Sequence, residues 1–218
     1  MCIRDRLDIT ATIGGGNVMQ TVKSGAFASL IFGQVAAEDL ERVFPKAQEA
    51  LATRALAHLR ERSAETSIDL SDGELIGLPD TLVLEAINDD RPFLLDSTLE
   101  ELRERGITPR LVAHPILNVE RNAAGQLTAE PTLAQPGDKG RRESYIQIHL
   151  PKLPFAEVAA LKASLATVYA HVREAVADFG PMRKRLAAAI TAYKLNPPPH
   201  PRADVEEAIA FLEWAAAD

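Results

Sequence analysis

Between residues 81 and 179 the spacing of apolar residues switches repeatedly between the two-residue period of strands and the 3.6-residue period of helices. This alternation constrains the fold more than any other feature of the sequence. Residues 81–88 and 144–150 show the strand period. Residues 154–179 carry a helical stripe made of Val158, Leu161, Leu165, Val168, Tyr169, Val172, Val176 and Phe179. A chain with this order of periods is expected to form a sheet with helices packed on it.

Local signals predict another helix and another strand between these elements. Asp89 or Asp90 can cap the helix, because an aspartate side chain accepts hydrogen bonds from free backbone N–H groups. Pro92 fits the first turn, where no intrahelical N–H is needed, and Gly106 is placed to end the helix. The chain then continues with a strand, a hairpin-like turn and a polar loop over residues 108–121, 122–125 and 130–142.

Further elements flank this central unit. An amphipathic stripe predicts a helix over residues 38–62, and a strand over residues 66–70 comes after it. Gly180-Pro181 is predicted to end the long helix. A helix, a proline-rich spacer and a last helix come next, over residues 182–194, 196–201 and 204–218. The last helix has no capping glycine, so we expect a downstream domain after it.

Together these elements predict an α+β fold: a ferredoxin-like βαββα sheet-and-helix module flanked by N- and C-terminal helices. We divide the chain into a flexible lead, an N-terminal helical segment, an α+β domain and a C-terminal helical segment, over residues 1–25, 26–63, 64–179 and 180–218. Residues 1–6 do not join smoothly to the residues after them, and we expect them to be non-native. A phosphate loop is the alternative interpretation of glycine-rich residues 14–25, but these residues are not succeeded by G-K-[ST].

Composition excludes several classes of function. Lys and Arg total 24 against 31 Asp and Glu, so the net charge of −7 opposes binding to nucleic acid or anionic lipid. Apolar stretches fall short of the roughly 20 residues of a membrane-spanning helix. Cys2 is the single cysteine, and no Cys/His cluster has metal-ligand spacing. We therefore expect a soluble, cytoplasmic protein without a metal site.

The turn after the first central strand holds the candidate ligand residues. Its carboxylates can orient an amino group and its arginine can bind a carboxylate, which predicts an effector site made of Asn88, Asp89, Asp90, Arg91 and Asp96. Helix capping with surface charge is the alternative interpretation. Asp96 lies beside the apolar stripe and needs a partner if it is buried, for which Arg91 or Arg110 is available.

Other polar residues suit an interface. Tyr145, Gln147 and His149 alternate with the apolar residues of their strand, so they lie on its less apolar face. They can contact a neighbouring module, as can Trp214 near the C-terminus, and solvent exposure is the alternative. His114 precedes Pro115 in an apolar strand, where a hydrogen-bonded core or edge histidine is expected rather than a proton-handling one.

The run NDDRPFLLDS, with LEELRERGI and LVAHPIL after it, resembles the ACT domain, a small regulatory module. In that superfamily an acidic residue, an arginine, a proline and a small residue open the first helix, and this turn often lines an amino-acid site between paired domains. Phe93 stands where the superfamily favours glycine. Its large side chain would hinder a ligand from approaching the backbone, so a structural spacer without a ligand is a further alternative.

A second resemblance is more specific. The stretches AINDDRPFLLDS, LVAHPIL, RRESYIQIHL and FLEWAAAD resemble, in this order, the N-terminal region of the large bacterial NAD-dependent glutamate dehydrogenases. In that family ACT-like modules precede the catalytic domain, which oxidatively deaminates L-glutamate to 2-oxoglutarate and ammonia. The resemblance implies NAD in the parent enzyme, downstream domains of the same polypeptide, and a homo-oligomer.

The chain itself lacks the signatures of that chemistry. A dinucleotide site needs a glycine-rich strand-to-helix turn, and the sequence contains no G-x-G-x-x-G. We therefore expect a non-catalytic regulatory or assembly fragment that holds no cofactor. A free-standing ACT-like module that senses amino acids is the alternative.

Overall fold

The computed structural model describes residues 24–41, 43–62 and 64–217. The predictions made for residues 1–23 lie outside these ranges. An antiparallel sheet is covered by helices on both faces. The elements are α1 (Ser24–Phe32), α2 (Ala37–Leu40), α3 (Pro45–Glu61), β1 (Thr66–Asp72), a 3-10 turn (Gly73–Ile76), β2 (Thr81–Asp89), α4 (Leu94–Glu104), β3 (Leu111–Ala113), β4 (Ile116–Val119), β5 (Thr132–Leu133), β6 (Arg141–Pro151), α5 (Phe155–Leu195) and α6 (Arg202–Ala217).

The sheet has six strands in the order β1-β2-β6-β4-β5, and β3 also pairs with β6. Every pair is antiparallel. The predicted α+β class and the βαββα order are confirmed. The edge beside β2 is occupied by β1, which precedes the unit in the chain and pairs with β2 from Thr66 opposite Asn88 to Asp72 opposite Leu82. An added N-terminal strand thus completes the four-stranded frame of the module.

Alternation along β2 and β6 divides the interior into two cores. One strand face packs on α4 and α5 through buried residues that include Leu84, Ile146, Ile148, Leu161, Leu165 and Tyr169. The opposite face packs on α1 and α3 through residues that include Phe27, Ile31, Leu51, Leu59, Val83 and Ile87. Each fully buried side chain of this size contributes about 1.5–3 kcal/mol. The N-terminal helices therefore form the third layer of the structure.

Two predicted elements are interrupted. The helix predicted over residues 38–62 is divided into α2 and α3, because Pro45 occupies the first turn of α3 and leaves Phe44 as its exposed N-cap. The strand predicted over residues 108–121 is divided into β3 and β4 at His114-Pro115. Proline has no N–H to donate to a ladder, so the pairing stops there and resumes afterwards.

The long helix α5, by contrast, continues past its predicted end. Gly180-Pro181 was predicted to end it, but α5 runs without a break to Leu195, over about 60 Å. Pro181 removes one helical hydrogen bond, and solvent can satisfy the freed carbonyl because this part of α5 is exposed. Gly180 lacks a Cβ, which relieves the clash of a proline with the residue before it. Phe179, predicted to belong to the buried stripe, is 51% exposed.

The C-terminal helices form a hairpin. After residues 196–201, α6 folds back along the end of α5, where Arg183 Nη2 donates to Ala216 O over 2.7 Å. Lys194 and Glu213 add an exposed ion pair. None of the helices in the described ranges combines the length and the hydropathy needed to cross a membrane.

Candidate functional site

The predicted ligand residues lie where the end of β2 meets the start of β6 and the end of α3. Asp89 Oδ1 accepts a hydrogen bond from Arg62 Nη2 over 2.9 Å, and Asp89 Oδ2 accepts one from Arg141 Nη2 over 2.5 Å. Burial alone would raise the pKa of the Asp89 carboxyl, but the hydrogen bonds from Arg141 and Arg62 outweigh it and hold this pKa below its usual value. Asp89 is thus an ionised partner of two arginines from other elements.

The neighbouring residues are also engaged within the chain. Asp90 Oδ2 accepts from Arg142 at 2.9 Å, and Arg91 Nη2 lies 3.7 Å from the second oxygen of Asp89. Asn88 is buried, with its Oδ1 accepting from Thr66 Oγ1 over 2.7 Å. These contacts join the end of β2 to β1 and β6.

Asp96 lies apart from this cluster. It is exposed on α4 and forms no ion pair within the described residues, so neither Arg91 nor Arg110 is its partner. It lines an open groove of about 540 Å³ together with Phe93, Ser97 and three glutamates of α4. The fold therefore brings Asn88, Asp89, Asp90 and Arg91 together and leaves Asp96 on a separate surface.

The capping prediction is wrong. Strand β2 continues through Asp89, and α4 begins only at Leu94, with Phe93 as its N-cap and no side-chain capping bond. The register of β2 on β6 places Asp89 opposite Glu143, and this pairing extends the strand beyond its predicted end. Phe93 has φ 71° and ψ 0°, a left-handed conformation that glycine adopts without steric cost. The glycine that the resemblance to ACT domains implies at this position would meet the same backbone requirement without strain.

Beneath Asp89 lies a buried ion cluster that the sequence analysis missed. Arg121 donates through Nε and Nη2 to the two carboxylate oxygens of Glu143, both over 2.8 Å, and Arg62 pairs with the same carboxylate. The side chain of Glu143 is 0% exposed, and those of Arg62 and Arg121 are 3% and 7% exposed. Arg121 also donates to Leu59 O at the end of α3. The cluster therefore ties the N-terminal helices to the sheet.

A second polar cluster lies on the same face. Arg54 of α3 donates to Glu85 Oε2 from Nε and Nη2 over 3.2 and 3.0 Å, and its Nη2 also reaches Asp69. The hydroxyl of Tyr145 donates to Glu85 Oε1 over 2.5 Å. Burial and the adjacent Glu85 carboxylate raise the pKa of Tyr145 well above its usual value. One signal was available in the sequence: a lone glutamate within an apolar strand needs a buried partner.

The residues predicted for an interface lie in two different environments. Tyr145, Gln147 and His149 are 0%, 0% and 3% exposed, because the chain's own N-terminal helices cover this sheet face. Solvent exposure, the alternative for these three, is wrong. Trp214 on α6 is 66% exposed and packs 5.9 Å from the ring of Phe211. His114 bonds Ser144 Oγ over 2.8 Å, which confirms the hydrogen-bonded histidine, and burial lowers its pKa.

The described residues lack the glycine-containing strand-to-helix turn of a Rossmann-type dinucleotide site. A pyrophosphate needs a glycine-containing turn where the backbone can approach it. The two connections that lead from a strand into an α-helix are residues 90–93 and 152–154, and neither contains glycine. Within residues 24–41, 43–62 and 64–217 the side chains also form no group of three or more potential metal ligands.

Comparison with known proteins identifies the family. The family model described as "Glutamate dehydrogenase, ACT1 domain" matches residues 27–165. The chain belongs to the glutamate dehydrogenase ACT1 domain family. This ACT1 match begins within α1, includes α2, α3, the whole sheet and α4, and ends within α5.

Two relatives resemble the chain over a similar length. The chain is 35% identical over 137 residues to an NAD-specific glutamate dehydrogenase of Halomonas elongata, and 30% identical over 132 residues to one of Pseudomonas aeruginosa. These alignments cover 62% and 60% of this chain but only 8% of each relative. No solved structure matches the chain. The chain thus aligns with a small portion of a much longer polypeptide in both relatives.

Proposed function

We propose that this chain is the N-terminal regulatory and assembly segment of a large, cytoplasmic NAD-specific glutamate dehydrogenase. The parent enzyme would oxidatively deaminate L-glutamate to 2-oxoglutarate and ammonia with NAD. This segment would contribute contacts rather than chemistry. The family match and the names of the two relatives support the parent activity.

The assembly role rests on the helical arm formed by residues 177–217. Large apolar side chains of this arm are 46–81% exposed: Phe179, Met182, Tyr193, Leu195, Phe211 and Trp214. An exposed apolar surface of this kind marks a protein contact, because water solvates it poorly. The sheet, by contrast, has both faces covered by helices. The arm is therefore the surface we assign to contacts with other domains of the polypeptide or of a homo-oligomer.

The free-standing amino-acid sensor is the less favoured alternative. Both relatives are far longer than their aligned regions, which supports a segment of a multidomain enzyme. An effector site at the end of β2 stays a prediction. Asp89, Asp90 and Arg91 already have partners within the chain, so an amino acid would have to compete with these ion pairs.

The test uses the full-length polypeptide that carries this chain. Phe211→Ser combined with Trp214→Ser should shift the oligomer toward smaller species and reduce glutamate-dependent NADH formation. Light scattering after gel filtration and an absorbance assay report the two properties. Leu75→Ser is the matched control, because Leu75 is 92% exposed on the 3-10 turn, away from the arm.

Two outcomes would contradict the proposal. Unchanged assembly and activity in the arm variant would remove the assembly role. NADH formation by the 218-residue chain alone, with glutamate and NAD, would show that the segment is catalytic.

A further inference from the structure

A cavity of about 260 Å³ lies between the N-terminal helical layer and one end of the sheet. Its apolar wall is formed by Val43, Leu78, Pro79 and Leu111. Its polar groups come from Asp39 of α2, Thr81 at the start of β2, Arg110 before β3 and His149 on β6. It lies at the opposite end of β2 from the predicted effector residues, since Thr81 begins this strand and Asp89 ends it.

His149 is the unusual group in this cavity. The residue is 3% exposed and lines the cavity, yet its Nε2 has no hydrogen-bond partner among the described residues. A buried polar atom without a partner is costly, by about 1–3 kcal/mol. Folded proteins therefore supply such an atom with a side chain, a water molecule or a ligand. Burial lowers the pKa of His149 to about 4, so the ring is uncharged at neutral pH and can donate from Nε2.

Arg110, an exposed residue, brings a positive charge to the same cavity. Its Nη1 donates to Asp80 O over 2.8 Å and lies 3.4 Å from Thr81 Oγ1. No carboxylate within the described residues pairs with this guanidinium, and its Nε and Nη2 form no hydrogen bond there. This differs from Arg62, Arg121 and Arg141, each of which is paired with an acidic residue. Arg110 is thus a cation with a free donor edge.

We propose that this cavity binds a small carboxylate compound. The carboxylate would accept hydrogen bonds from the free edge of Arg110, with its carbon chain against the apolar wall and an oxygen at His149 Nε2. Guanidinium groups recognise carboxylates by paired, charge-assisted hydrogen bonds of this kind. A small compound such as a dicarboxylate or an acidic amino acid would fit this volume, and the Asp39 carboxylate, on an exposed residue, can stay in solvent rather than face the bound anion.

The cavity lies at the boundary between the N-terminal helical layer and the sheet. The cavity is lined by residues of both the N-terminal layer and the sheet, so a bound carboxylate bridges the two layers. A ligand that binds the folded chain but not the unfolded chain raises the free energy of unfolding by mass action. Binding in this cavity can be measured without the catalytic reaction of the proposed parent enzyme.

The experiment is calorimetric titration of the 218-residue chain with 2-oxoglutarate, with L-glutamate and with L-alaninamide, which has an ammonium but no carboxylate. We expect saturable heat with a carboxylate and none with L-alaninamide. Arg110→Gln should weaken binding by about tenfold or more, since it removes the charged edge. Arg103→Gln is the matched control, because Arg103 is exposed on α4, away from the cavity.

A second readout does not depend on these variants. In ¹⁵N-histidine-labelled chain, the Nε2 resonance of His149 should shift as the carboxylate is added. An absence of heat with both carboxylates, from a chain that unfolds cooperatively, would overturn the site. Binding that Arg110→Gln leaves unchanged would also overturn it, and loss of that binding on Asp96→Ala would place the ligand in the α4 groove that Asp96 lines.

Discussion

Glu143 and Arg121 form a buried two-point ion pair, with Nε to Oε1 and Nη2 to Oε2 both at 2.8 Å. The glutamate is on β6, and the arginine comes after β4 and reaches back to Leu59 O on α3. Arg62 adds a second guanidinium to the same carboxylate. One buried carboxylate thus connects the sheet to the helical layer above it.

Glu143→Gln should destabilise the chain strongly. The substitution leaves two buried guanidinium groups facing a neutral amide, and breaking a buried ion pair costs about 3–5 kcal/mol. Urea unfolding monitored by circular dichroism measures the loss. Glu100→Gln, which alters an exposed pair on α4, serves as the control and should change stability little. Similar stability of the two variants would contradict a structural role for the cluster.

Phe93→Gly should stabilise the chain. Phe93 holds a left-handed backbone that costs an L-residue about 1–2 kcal/mol, and its side chain is 64% exposed, so little burial is lost. Glycine gives back part of the gain through its greater freedom in the unfolded chain. We expect the free energy of unfolding to rise by about 0.5–1 kcal/mol, which raises the midpoint of thermal unfolding. Phe155→Gly, at an exposed helical position, should not raise it, and a lowered midpoint for Phe93→Gly would refute the strain.

Removing the hydroxyl should lower the free energy of unfolding more at Tyr145 than at Tyr169. The Tyr145 hydroxyl donates to the Glu85 carboxylate, whereas that of Tyr169 shares a 2.8 Å bond with the neutral Thr98. Hydrogen bonds to charged groups are worth about 1.5–3 kcal/mol and neutral ones about 0.5–1.5 kcal/mol. Chemical unfolding of the two Tyr→Phe variants compares these losses. Equal losses would contradict a stronger hydrogen bond at Tyr145 than at Tyr169.

Stability should fall as the pH drops from about 6.5 toward 4. Burial lowers the pKa of His149 to about 4 in the folded chain, so the unfolded chain, near 6.5, binds the proton more tightly. The stability that the uncharged His149 ring contributes is fully present above pH 6.5, and about 3 kcal/mol of it is lost by pH 4. His58 and His114 have lowered pKa values and act in the same direction.

The measurement is urea unfolding at a series of pH values, with His149→Gln beside the parent chain. The variant should show a shallower decline, because one titrating group has been removed. His200→Gln, an exposed position in the spacer before α6, should leave the slope unchanged. An identical decline in the His149 variant would assign the pH dependence to other groups.

Local patterns determined the class of this fold. The periods of β2, β6 and the buried part of α5 depend on which side chains must avoid water, so the α+β order and the helical stripe from Val158 to Val176 could be read directly. The turn chemistry over residues 122–125 was equally local: Asn122 Oδ1 accepts from the N–H groups of Ala124 and Gln126. Element boundaries were less determined. Pairing with β6 carries β2 through Asp89, and solvent access lets α5 continue through Pro181.

The tertiary structure alone decided what the polar residues do. Asp89 has every property of a cap, but Arg62 and Arg141, 27 and 52 residues away, make it an ion-pair partner. His149 alternates like a residue of an open face, yet the N-terminal helices bury it. Sequence spacing reports which side of an element a residue occupies. It does not report which distant element covers that side, because this depends on contacts formed only when the layers pack.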